Sequence, residues 1–197
     1  SDLTGGIAAF KAATLVRLFV KAGANVEVAM TKSACEFITP LTFQVLTKNK
    51  VHTDTFDEDE ADRVQHIHLA DKTDVAVVVP ATANTIAKLA NGIADNFVTS
   101  TLLAITAPIY VAPAMNEHMW ENPATVRNVA QLKADGKVII EPATGFLAEG
   151  YNGKGRLPEP EEIFEQVTFF EGRRTYGSPL QGKSVLITAG GTKERID

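Results

Sequence analysis

From Ile7 to Ala22 the apolar positions Ala8, Ala12, Leu15, Phe19 and Ala22 recur at steps of four and three, and Gly23 supplies a stop. This is the pattern of an amphipathic helix. Residues 25–31 (NVEVAMT) then alternate apolar and polar around Val26 and Val28, which suits a strand. A second helical stretch over 33–48 is interrupted near Pro40, and the acidic run 57–62 reads as a solvated loop. Residues 74–80 (DVAVVVP) form a near-continuous β-branched run, the mark of a strand covered on both faces at the centre of a sheet. The runs IYVAP (109–113) and VIIEP (138–142) repeat it with helical stretches between, which predicts βαβ units and parallel strands. The expected class is α/β, a doubly wound parallel sheet in three αβα layers. Right-handed crossovers then gather the loops after the strand C-termini on one edge, where ligands of such sheets bind.

The pattern changes near the C-terminus. Residues 173–180 read as a polar linker, and GKSVLIT (182–188) as a new strand running into Ala189-Gly190-Gly191-Thr192. The expectation is a first domain over 1–172 and, over 181–197, the truncated start of a second. Only Ser1 to Leu3 stand ahead of the Thr4-Gly5-Gly6 turn, where a full first strand of such a fold is expected.

Composition narrows the class. With 197 residues, 45% hydrophobic and 22% charged, the chain can bury a core. A net charge of -5 without a cluster of Lys and Arg lacks the footprint of nucleic-acid binding. No signal peptide or membrane span is legible, and a cytoplasmic protein is expected. The single cysteine, Cys35, reads as packing.

Candidate chemistry lies in the loops after the strands. Gly5 and Gly6, ahead of the first helix, let backbone N–H groups approach a phosphate, or simply make a turn. Their spacing is not GxGxxG, which disfavours NAD. Thr31, Lys32 and Ser33 offer donors suited to an anion, although capping also explains Ser33. The PATANT run (80–85) presents Thr82, Asn84 and Thr85 to a phosphate or heterocycle edge. His66 and His68 would share a face in a strand but not in a helix. They make a poor metal signature, so no metal is expected, and either is an acid/base group or a plain hydrogen-bonded histidine. Asn116, in PAMN, binds a carboxylate or caps a helix. Residues 145–157 carry four glycines, the composition of a lid.

Taken together, TGGIAAFKA, QHIHLA, PATANTIAKLANGIADN, APAMNEHMW and GKGRLPEP resemble the flavin-dependent cysteine decarboxylase family, and within it the branch acting on 4'-phosphopantothenoylcysteine. The tail LQGKSVLITAGGTKERID is similar to the opening of the synthetase (ligase) domain fused behind that branch in bacteria. The resemblance implies a flavodoxin-like fold, trimers with FMN between subunits, and a dodecamer in the fused protein. It places FMN against Gly5, Gly6, Thr31, Ser33, Pro80, Thr82, Asn84 and Thr85, and the substrate against Met115, Asn116, Lys154 and Arg156. His66 matches the family's catalytic histidine. The lid of the usual enzyme carries Ala-Cys-Gly, whose cysteine returns a proton, whereas this chain has Ala148-Glu149-Gly150. Three outcomes follow from that difference: Glu149 is the acid, the reaction stops at the enethiol, or the protein binds FMN without turnover.

Overall fold

The computed structural model of the chain describes residues 3–53, 60–146, 152–173 and 178–190. Six strands lie in one parallel sheet, in the spatial order β2 (His52–Thr53), β1 (Asn25–Met30), β8 (Ser184–Ala189), β3 (Val75–Ala81), β4 (Ile109–Pro113) and β5 (Val138–Ile139). Successive residues of each strand point to opposite faces, and each face is covered. On one side α1 (Leu3–Lys21), α2 (Pro40–Thr47) and α8 (Pro160–Gly172) place Leu15, Phe19, Phe43, Ile163 and Val167 over Val28, Val77, Ile187 and Tyr110. On the other, α3 (Glu60–Lys72), α4 (Ala83–Asn91), α5 (Phe97–Ala104) and α7 (Pro123–Ala134) place Leu69, Ile86, Leu102 and Leu132 over Ala76, Val78, Val111 and Leu186. Each large apolar side chain buried in this way stabilises the fold by roughly 1.5–3 kcal/mol. The three layers and parallel strands are those the hydrophobic pattern predicts.

The tail departs from expectation. The segment beginning at residue 181 does not stand apart as a second unit. Its strand β8 pairs along six residues with β1, from Asn25↔Ser184 to Met30↔Ala189, and along four with β3. Val185, Leu186 and Ile187 are at most 1% exposed. An apolar run of this kind is buried on both faces only in an inner slot, which is where it lies. From β2 to β5 the order is the flavodoxin-like 2-1-3-4-5, with the C-terminal strand β8 set between β1 and β3.

Two local readings also change. Glu60, within the expected acidic loop, begins α3. The expected lid contains an antiparallel hairpin, β6 (Ala143–Phe146) and β7 (Asn152–Arg156). Residues 147–151 of that loop, including Glu149, lie outside the described residues.

Candidate functional site

The C-terminal ends of β1, β8 and β3 open into a cleft of about 270 Å³, close to the lower limit for ligand sites. Thr31, Lys32 and Ser33 form one wall. The Thr31 hydroxyl accepts from the Ala34 N–H at 3.3 Å. Ser33 makes no side-chain cap on the short 3-10 turn that follows, so the capping explanation does not account for its hydroxyl.

The opposite wall is Pro80, Asn84 and Thr85, after β3. Pro80 follows a cis peptide bond. Thr82 is the N-cap of α4: its Oγ1 accepts from the Thr85 N–H at 3.2 Å and its hydroxyl donates to Thr85 Oγ1 at 3.2 Å. The cap leaves Thr82 orienting Thr85 rather than lining the cleft. The floor and rim bring in residues that the motif reading does not single out. Asn96 and Thr99 form a capping box at the start of α5, with Asn96 Oδ1 2.8 Å from the Thr99 N–H. Lys88 pairs with Asp95 at 3.0 Å. Asn96 closes the run PATANTIAKLANGIADN, but nothing in that run announces its capping role.

Thr188 and Gly190 complete the cleft from β8. Thr188 is fully buried, and its hydroxyl has no hydrogen-bond partner among the described residues. A Cβ at Gly190 would lie 3.1 Å from Thr31 Cγ2, so glycine keeps this corner open. Gly5 and Gly6 lie within the first turns of α1, where a Cβ added at Gly6 would meet no described atom within 4 Å.

A second group forms around PAMN. The Ala114 N–H donates to Ala81 O at 3.1 Å, joining the ends of β4 and β3, and the Met115 N–H donates to Gly155 O at 3.0 Å. Gly155 has φ +141°, and a Cβ there would fall 2.0 Å from Met115 O, so only glycine allows the hairpin this approach. Asn116 is the N-cap of α6 (Glu117–Glu121), accepting from the His118 N–H at 2.8 Å. The Lys154 N–H donates to Glu117 Oε1 at 3.1 Å, and its ammonium lies 3.3 Å from Glu141 and 5.8 Å from the centre of the Trp120 ring. Arg156 reaches Glu159 at 2.7 Å. Met115, Asn116, Lys154 and Arg156 thus come together, next to the cleft's β3 loop but not in its lining.

His66 is half-buried on α3, while His68, two positions on in the same helix, is exposed and on another face. The His66 ring meets Phe97 of α5. Cys35 packs against the core. Electrostatically the marked group is Glu27 of β1, whose carboxyl is held below its ordinary value by hydrogen bonding to His52, with Lys72 adding to the effect and partial burial opposing it.

Residues 2–170 match the family described as Flavoprotein. The coenzyme A biosynthesis bifunctional protein CoaBC of Bacillus subtilis (strain 168) is 54% identical over 195 residues, 99% of this chain and 48% of the relative. The chain therefore spans about half the length of that relative. Among solved structures, a PPC decarboxylase mutant complexed with pantothenoylaminoethenethiol is 36% identical with a TM-score of 0.73, covering 84% of this chain and 93% of the other. The FMN binding protein AtHal3 is 34% identical with a TM-score of 0.73, covering 86% and 94%.

Proposed function

The chain belongs to the Flavoprotein family, and we propose that it is an FMN-dependent decarboxylase converting 4'-phosphopantothenoylcysteine to 4'-phosphopantetheine in coenzyme A biosynthesis. The observation that carries this reading is a cleft of short hydroxyl and amide side chains at the sheet's C-terminal edge, in a chain that follows the backbone of a PPC decarboxylase over 93% of the latter. The donor set fits FMN. Thr31, Ser33, Asn84 and Thr85 supply hydroxyl and amide groups for a phosphate or a ring edge, and the unpartnered Thr188 hydroxyl gains a ligand there.

The substrate's cysteine carboxylate has no electron sink beside it; FMN, held by Thr31, Ser33, Asn84 and Thr85, would supply the reversible two-electron chemistry at the thiol-bearing carbon that creates one. The chain's own residues bind and orient. Asn116 is assigned to hold the carboxylate, and its cap and the Met115–Gly155 contact, which fix the backbone there, support that role. Lys154 and Arg156 offer cations to the substrate's phosphate end, and His66 positions or moves a proton at the cysteine. Glu149, in the cysteine's place, is assigned the final protonation, because a carboxyl group can serve as a general acid. The cytoplasm is the assigned location and a homotrimer the assigned assembly. Strand β8 belongs to this sheet, and the tail's likeness to a ligase opening assigns any sequence that follows it in a longer protein to a fused second enzyme.

Mass spectrometry of 4'-phosphopantothenoylcysteine incubated with the protein and FMN tests the reading. Loss of CO2, abolished in His66→Asn, is expected; in Glu149→Gln the product should stall two hydrogens lighter. A second reading, FMN binding without turnover, is favoured by the absence of the lid cysteine. Unchanged substrate mass with FMN bound would establish it.

A further inference from the structure

Phe97 opens α5 one position after Asn96 of the cleft, and two imidazoles meet its ring. His52 lies flat against it, with ring centroids 5.6 Å apart and planes within 9°. His66 meets it edge-on, at 6.3 Å and 88°. His52 is itself held, because its Nε2 is 2.9 Å from Glu27 Oε2. The other oxygen of that carboxylate accepts from Lys72, which belongs to the same helix as His66. The contacts close a circuit through four elements: β1 carries Glu27, β2 His52, α5 Phe97, and α3 both His66 and Lys72.

Simple packing does not call for this arrangement. The Glu27 side chain is only 12% exposed, and burying a carboxylate costs free energy unless it is paired. An apolar residue at that position of β1 would fill the space without that cost. What the hydrogen bond to His52 and the Lys72 ion pair add is direction: they fix the plane of one imidazole, and through it the plane of the Phe97 ring. An imidazole has a broad, soft χ2 torsion, and an edge-to-face aromatic neighbour favours one plane for the ring.

We propose that His52 and Phe97 are positioning residues for His66. Glu27 and Lys72 hold the His52 ring, the His52 ring holds Phe97, and Phe97 sets the orientation of the His66 imidazole. The inference rests on the reading of His66 as the group that acts on the substrate, and its test separates the two.

The chain has four histidines, so the four imidazole Hε1 proton resonances can be followed by NMR, with that of His66 identified by its loss in His66→Asn. In Phe97→Leu the His66 resonance should move toward its position in an unstructured peptide, without FMN as well as with it. The kcat should fall roughly tenfold, within the ~100-fold that a 1 Å misplacement costs, while KM and FMN affinity stay within about twofold. Phe97→Tyr should restore both, and His52→Gln should shift the same resonance in the same direction by less. An unmoved His66 resonance in Phe97→Leu would overturn the proposal. So would a fall in kcat that only follows lost FMN affinity and a lowered thermal midpoint. Full turnover in His66→Asn would instead remove His66 from the reaction, and the His66 shift in His52→Gln, which keeps the Phe97 ring current, would still decide whether the circuit orients the ring.

Discussion

Folding strips water from the Thr188 hydroxyl and gives it no partner among the described residues in return. An unpaired buried hydroxyl costs about 1–3 kcal/mol, so Thr188→Val, which keeps the shape, should leave ligand-free stability unchanged or raise it by about 1 kcal/mol. The same change should weaken FMN binding several-fold, read by quenching of flavin fluorescence. Equal affinity in the two proteins would show that the cofactor does not use this hydroxyl. Glu27 behaves in the opposite sense. Its carboxyl is held below its ordinary value by His52 and then Lys72, so the stability it contributes is present above the unfolded carboxylate range and is lost as pH falls through the lowered folded value. Glu27→Gln should therefore cost about 1–2 kcal/mol at neutral pH, a thermal midpoint lower by several degrees. The deficit should close as the pH drops below the ordinary carboxylate value of ~4.3. A deficit constant from neutral pH to acid would mean that packing, not charge, is lost.

At the scale of elements, β8 bears the most weight per residue. It separates β1 from β3 and hydrogen-bonds to both. A chain ending at Leu180 should lose its cooperative thermal transition, because two strand edges and the partners of Val28 and Val77 would be uncovered together. A retained transition with native circular dichroism would show that the sheet closes without it. The same strand marks what can be read from residues alone. The runs at 74–80 and 109–113 declare themselves by unbroken β-branched and apolar composition, which reports burial on both faces, and they lie where that composition demands. The run at 182–188 has the same composition and is legible as a strand, but composition reports burial, not neighbours. Nothing local states which sheet a strand joins, so Thr188 and Gly190 are not legible as parts of the cleft. The hairpin of β6 and β7 is hidden for a related reason: its glycines read as a loop, whereas Gly155 is there to let the backbone pass Met115 O. Asn84 and Thr85 are legible because several short polar side chains at the end of a central strand exceed what a turn needs, whereas Thr31 and Ser33 read as well as the start of a capped helix.

For the molecule as a whole, the open cleft and the outer surface bear on the same question. A site of about 270 Å³ is small for a dinucleotide-sized or flavin ligand, which suits a site that a second copy completes. The chain also exposes large apolar residues on α1 and α2: Phe10 is 74% exposed, Leu41 64% and Val45 66%. Exposed apolar surface, where it gathers into a patch, marks contact surfaces in soluble proteins, and a closed trimer would repeat one such contact three times. Light scattering coupled to gel filtration should give three copies of the 21.2 kDa chain. The double variant Phe10→Asp, Leu41→Asp should give folded monomers, because both side chains lie outside the core. If the cofactor is held between copies, those monomers should bind FMN at least tenfold more weakly than the trimer, since part of the site leaves with the partner. Monomers that keep full affinity would place the whole cofactor site within one chain. A wild-type chain that runs as a monomer with tight FMN would remove the trimer itself.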